Sequence, residues 1–193
     1  MDFELNKTQK DIQKAVREFT RGEFDRDLVL ELERKHEFPE KIWRKACDLG
    51  LVGVHFPEEY SGQGLGCLED ILVVEELCRG DSTMGSAVAL SSFASEIVLH
   101  WGNAEMKQKY LPAVAEGRML SAGAFTEPDH GSDITSMDTT AVKEGNEWVI
   151  NGTKTFITNG GLAGFYSVMC QSDPEARPTY RGISLILVEA DRK

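Results

Sequence analysis

The sequence predicts an α+β chain: an all-α N-terminal domain over residues 1–118, then an antiparallel, barrel-like β domain over residues 119–193. Three observations carry that expectation. Apolar residues recur at helical spacing through the first part of the chain. After Arg118 the period falls towards two, and β-branched and aromatic residues accumulate. The turn signals EGN, NG and NGG then cut the second part into strand-length pieces.

The first helix is read in LNKTQKDIQKAVREF, where Leu5, Ile12, Val16 and Phe19 share a face. A charged linker holding His36 follows, then a second helix in FPEKIWRKACDLG. There Pro39 stands where a first turn tolerates it, and Gly50 where a C-terminal cap needs positive φ. The segment FPEEYSGQGLG is an ordered loop. Three further helices are legible in LEDILVVEELCRG, SAVALSSFASEIVLHWG and NAEMKQKYLPAVAEG; the second of these is almost uncharged over residues 82–94 and should lie centrally. Strands are expected in MLSAGAFT, TTAVKEGNEWVING, TKTFIT, FYSVMCQS and ISLILVEA, with residues 173–182 as a polar loop. The last of these reads as an interior strand wanting a neighbour, so the sheet is expected to continue past Lys193 or in another chain.

The 32 acidic against 21 basic residues give a net charge of −11, which argues against a nucleic-acid or anionic-membrane surface. Cys47, Cys67, Cys78 and Cys170 show no CxxC spacing and read as buried thiols in a reduced compartment. A signal peptide is not expected, nor any apolar run near the roughly 18 residues of a membrane span. The expected location is the cytoplasm, or a mitochondrial matrix. His36, His55 and His100 have no ligand spacing among them, so no metal site is expected.

The chemistry concentrates in AFTEPDHGSD, residues 124–133. Asp129, His130 and Ser132 include the residue types of an acid, base and nucleophile, but they crowd into one turn, whereas such groups align from separate backbone segments. The backbone offers more. A strand ending in Phe125-Thr126, a Glu-Pro turn, and Gly131-Ser132 with small side chains and free amides suit either an anion or cofactor cradle or an ordinary hydrogen-bonded loop. Glu127 and Pro128 are expected to shape the turn.

AFTEPDHGSD followed by KTFITNGG resembles the paired flavin-binding segments of the acyl-CoA dehydrogenase family, at the family's interval from Thr126 to Thr158. EKIWRKACDLGLVGVHFPEEYSGQGLG and MKQKYLPAVAEGRMLSAGAFTEP are similar to further stretches of the family, in the family's order, so the resemblance covers nearly the whole chain. It implies FAD as cofactor. Phe125 and Thr126 would face the flavin, Thr126 bonding its pyrimidine side, and Gly131 and Ser132 would approach the phosphates, with Ser132 also near bound acyl-CoA. Phe156, Ile157 and Thr158 would cover another side, Phe156 as an apolar wall near N5 and Thr158 as a polar contact. Core packing is the competing reading for one of Phe156 and Ile157.

The implied reaction is α,β-dehydrogenation of an acyl-CoA thioester, with electrons passing to an electron-transferring flavoprotein. The implied assembly is a homotetramer, a dimer of dimers. The family's base is a glutamate of a C-terminal helical domain, and this chain ends before that domain; it is therefore expected to supply acyl-pocket helices and flavin-binding strands without a catalytic residue, and to be inactive alone. Departures from the family pattern are Asp129-His130 in place of two small residues, and Gly123 where many relatives have tyrosine. DSTMGSAVALSS lacks the arginine of glutaryl-type members, which disfavours a dicarboxylic substrate. Two alternatives remain open: a non-catalytic acyl-CoA or FAD-binding partner subunit, and a relative with different flavin chemistry such as a nitroalkane oxidase.

Overall fold

The structure, a computed structural model, describes residues 4–192 and divides into two compact units between Met119 and Leu120.

The first unit is helical. Helix α1 (Lys7–Glu23) opens on a capping box, in which the Asn6 side chain accepts from the Gln9 amide and Gln9 answers the Asn6 amide. Its apolar stripe buries Val16 and Phe19. Helix α2 (Arg26–Lys35) lies in the segment expected to be a linker. Asp25 caps its start, and its periodicity is masked because Val29 is its one buried residue while Leu28 and Leu30 are exposed among charged side chains. His36 ends it in the left-handed region at φ 54°. Helix α3 (Glu40–Asp48) follows Pro39, and Gly50 at φ 70° donates to the Cys47 carbonyl at 2.8 Å, the cap its position requires.

Helix α4 (Cys67–Gly80) packs on α1 through a buried carboxylate: Glu76 accepts from Arg17 Nε and Nη2, both at 2.7 Å. The apolar stretch expected as one helix is two α segments, α5 (Ser82–Ala89) and α6 (Ser95–Trp101), joined through a 3-10 turn at Leu90–Ser92. The stretch 82–101 is, by length and composition only, long and apolar enough to cross a membrane, a test that the core helix of a folded domain also passes. Gly85 lets α5 meet α4 backbone to backbone, since a Cβ there would stand 2.6 Å from the Cys78 nitrogen. Helix α7 (Ala104–Ala115) closes the unit. His55, in the loop after α3, bridges two helices: its Nε2 is 2.5 Å from Glu96 Oε1 on α6 and its Nδ1 3.4 Å from Asp70 Oδ1 on α4. Asp70 and then Glu96 push the imidazole up to about 10, against the opposing effect of burial.

The second unit is one sheet of five strands: β1 (Ser121–Ala124), β2 (Thr140–Glu144), β3 (Glu147–Asn151), β4 (Phe165–Gln171) and β5 (Ile183–Glu189). Strand order is β1-β4-β2-β3, with β5 on the other flank of β4. The sheet is mixed where a wholly antiparallel one was expected. The hairpins β2–β3 and β4–β5 are antiparallel, but β1 and the first residue of β2 lie parallel to β4. The physical reason is the long connection over residues 125–164, which carries the chain back to start β4 beside β1 in the same direction. TKTFIT, expected as a strand, is irregular: Phe156 within it takes φ of 54° and Asn159 just after it 63°, which no strand accommodates.

Candidate cofactor-binding site

All four residues of β1 are buried, and the chain leaves the strand at Phe125 and Thr126, both half-buried. It then doubles back. The Glu127 amide donates to the His130 carbonyl at 2.9 Å and the His130 amide to the Glu127 carbonyl at 3.3 Å, leaving Pro128 and Asp129 exposed at the tip. The Glu127 side chain turns inward and is buried. Its carboxylate accepts from the Asp138 amide at 2.6 Å, the Thr139 amide at 2.9 Å and Lys154 Nζ at 2.8 Å. Burial alone would raise this carboxyl, but the Lys154 ammonium and the two amides outweigh it and hold the group down at about 2. The expectation that Glu127 shapes the turn is thus met by a specific device: one carboxylate closes both ends of the loop.

Lys154 has a second task. Its ammonium also donates to the Phe125 carbonyl at 3.0 Å, and next to it the Thr155 amide donates to the Thr126 carbonyl at 2.9 Å. Further on, Asn159 Nδ2 donates to the Ser121 carbonyl at 2.9 Å. Residues 154–159 therefore form a strap laid along β1 and its exit, pinned at each end by a polar side chain. Between the pins Phe156 is 92 % exposed, Ile157 half-buried and Thr158 exposed. A bulky residue at positive φ is an outlier costing about 1–3 kcal/mol. Here that cost sustains an aromatic ring that packs into no core.

The structure thus brings Phe125 and Thr126 beside the strap of Phe156, Ile157 and Thr158. Gly131 and Ser132 follow the tight turn in the same loop and are exposed. Gly131 avoids the left-handed region, and a Cβ placed on it would meet no atom within 4 Å. Nothing within the chain demands a glycine there, which suits close approach by an outside group. Asp133 is occupied locally, accepting from the Thr135 amide and hydroxyl and from the Ser136 hydroxyl. Among the described residues the hydroxyls of Thr126, Ser132 and Thr158 have no protein partner, and so can serve a ligand. These features fit a flat, heteroatom-rich group with a phosphate tail: apolar cover from Phe156, hydroxyl and amide donors from Thr126, and small residues at 131–132.

Other groupings fit less well. His130 faces Asp138, with Nε2 3.4 Å from Oδ2, so the triad of Asp129, His130 and Ser132 has no geometric support. Glu127, His130 and Asp138 bring ligand-type atoms within 4.8 Å of one another, but the Glu127 oxygens are already engaged by an ammonium and two amides. The sequence reading missed Lys154 and Asn159. Their signal was present in a lysine and an asparagine flanking the four residues 155–158, whose central pair is apolar, a pattern in which the polar ends can pin and the middle project.

A helical unit followed by a mixed sheet defines a class of fold, and comparison with known proteins gives the family. Residues 6–118 match the acyl-CoA dehydrogenase N-terminal domain and residues 122–193 the acyl-CoA dehydrogenase middle domain, so the chain belongs to the acyl-CoA dehydrogenase family. It is 37 % identical over 192 residues to a probable medium-chain specific acyl-CoA dehydrogenase 2 of Caenorhabditis briggsae, covering 99 % of this chain and 47 % of the relative. It is 35 % identical over 191 residues to an acryloyl-CoA reductase (NADH) of Anaerotignum propionicum, covering 98 % and 48 %. A glutaryl-CoA dehydrogenase of Mycobacterium smegmatis, solved in complex with FADH2, superposes with a TM-score of 0.86 at 31 % identity, over 97 % of this chain and 46 % of that one. The chain spans about half the length of the curated relatives it matches.

Proposed function

We propose that this chain supplies the flavin-holding strands and the acyl-side helices of an FAD-dependent enzyme that exchanges hydrogen across the α,β bond of an acyl-CoA thioester. The observation that carries the reading is the strap over residues 154–159, pinned beside the β1 exit with a strained, exposed Phe156, in a chain of this family. Bound FAD supplies acceptance of the hydride, which no side chain can provide. Thr126 offers a hydroxyl and an amide to the pyrimidine edge of the ring. Phe156 and Ile157 exclude water from its reactive side, and Thr158 contributes a hydroxyl there. Gly131 and Ser132 give amide access to the phosphates, and Ser132 lies near the acyl-CoA. No glutamate of this chain is assigned as the α-proton base. The proposed partners are an electron-transferring flavoprotein and further copies of the protein in a dimer of dimers, in the cytoplasm or a mitochondrial matrix.

The test is spectroscopic. Titrating the apoprotein with FAD should give a saturable visible flavin spectrum, and adding acyl-CoA esters of graded length to the complete enzyme should bleach it. A protein that binds no FAD contradicts the reading. One that binds FAD but is never bleached by any acyl-CoA marks a holding role without turnover.

A further inference from the structure

We propose that Lys154 is a positioning residue: its ammonium, clasped between the Phe125 carbonyl and the Glu127 carboxylate, fixes the strap of residues 154–159 against the β1 exit and thereby sets the surroundings of the bound ring. The proposal rests on the flavin reading above, and goes beyond it in assigning a role to two residues that need not touch the cofactor.

The argument starts from burial. The side chains of Lys154 and Glu127 are 10 % and 3 % exposed, so both charges have left water and each depends on the other. Such a pair contributes little net stability compared with an apolar filling of the same space, and its value lies in fixing geometry. Here one ion pair reaches three separate pieces of irregular backbone. Lys154 grips the β1 exit at Phe125, Glu127 holds the far end of the loop through the Asp138 and Thr139 amides, and the strap begins at Lys154 itself. Residues 125 and 154 lie outside every strand, and only at Thr139, whose carbonyl accepts from the Gln171 amide at 2.8 Å, does the sheet share the work.

Phe156 makes the need for such a device concrete. At φ 54° and 92 % exposure, apolar packing does not keep it in place; polar pins on either side do, at Lys154–Phe125, Thr155–Thr126 and Asn159–Ser121. Removing the ammonium would leave Glu127 buried without its cation and free Phe156 to relax towards an ordinary backbone conformation. A lysine suits this point better than an arginine, because a compact ammonium directs separate donors at a carbonyl and a carboxylate, whereas a planar fork spans a wider site.

The experiment compares wild type, Lys154→Met and Glu127→Gln, each loaded with FAD. Three quantities are read: the FAD dissociation constant, the absorption envelope of the bound flavin and its midpoint potential. Unfolding of the apoproteins is followed separately. Lys154→Met should weaken FAD binding by about tenfold or more and shift both the envelope and the potential of the flavin that remains bound. Glu127→Gln keeps an oxygen for the two amides and should change the same quantities in the same direction by less; it carries the test if Lys154→Met does not fold. A role in stability alone would lower the unfolding midpoint and leave spectrum and potential in place. Superimposable spectra and potentials, with dissociation constants within about twofold, would overturn the proposal. If wild type binds no FAD, the cofactor reading fails by itself and amide exchange decides on the clasp: faster exchange at residues 155–158 in Lys154→Met supports it, and unchanged exchange overturns it.

Discussion

Glu76 in the helical unit and Glu127 in the sheet unit are both buried carboxylates held by a cation, yet they do different work. Glu76 joins two regular helices, and its partner Arg17 leaves 45 % of its side chain in solvent, with Arg79 a further 3.7 Å cation. Glu127 joins irregular backbone, its partner Lys154 is itself buried, and it satisfies two amides besides. The difference shows where a buried charge is replaceable. Between helices, whose backbone groups are already paired, apolar packing can take its place. In a loop, the carboxylate is the acceptor that buried amides require.

The largest expected effect separates the two sites. Glu127→Leu strands an ammonium and two amides and should cost about 3–5 kcal/mol, whereas Glu76→Leu, whose arginines can reach water, should cost about 1–2 kcal/mol. Chemical denaturation of both variants checks this, and equal losses would erase the contrast.

The next effect is acid sensitivity. Glu127 is depressed from 4.5 to about 2, so its contribution is fully present above pH 4.5 and is lost as pH falls towards 2. The expected loss is about 3 kcal/mol. In the helical unit His55 is raised from 6.5 to about 10, so its contribution is complete below pH 6.5 and disappears as pH climbs through 10. The sheet unit should therefore weaken towards acid through Glu127, while the helical unit should weaken towards acid through Glu76, which Arg17 holds below the usual carboxylate range, and towards alkali through His55. Glu127→Gln should flatten the acid limb alone, and His55→Gln the alkaline limb alone.

Smaller changes probe the proposed ligand surface. Thr126→Val preserves shape and should reduce FAD affinity by about 1–2 kcal/mol, read by fluorescence titration. Phe156→Gly should move stability and binding in opposite directions: relief of the left-handed strain should raise apoprotein stability by about 1 kcal/mol, while FAD binds more weakly for want of the ring. A destabilised apoprotein would show that Phe156 packs on something within the chain.

The same contrast explains what could be read from the sequence. Regular elements announced themselves through period and caps: the stripe of Val16 and Phe19, the turn at Gly50, the hairpin at Gly145-Asn146. Helix α2 stayed hidden because it buries a single valine, and the break between α5 and α6 because apolar residues run through it unchanged. At the candidate site, residue types pointed to residues 124–133, the resemblance to the acyl-CoA dehydrogenase family added residues 154–161, and the turn-forming role of Glu127 was legible from its proline neighbour. The positive φ of Phe156 and the ion pair of Glu127 with Lys154 were not, because both are properties of two segments brought together by the sheet.

The central claim is that the β1 exit and the strap form one surface for FAD, and residue-resolved amide exchange with and without FAD tests it most directly. Added FAD should slow exchange together at residues 125–126, 131–132 and 156–158, leaving the β2–β3 hairpin unchanged. Protection confined to one of the two segments, or absent from both, would contradict the account.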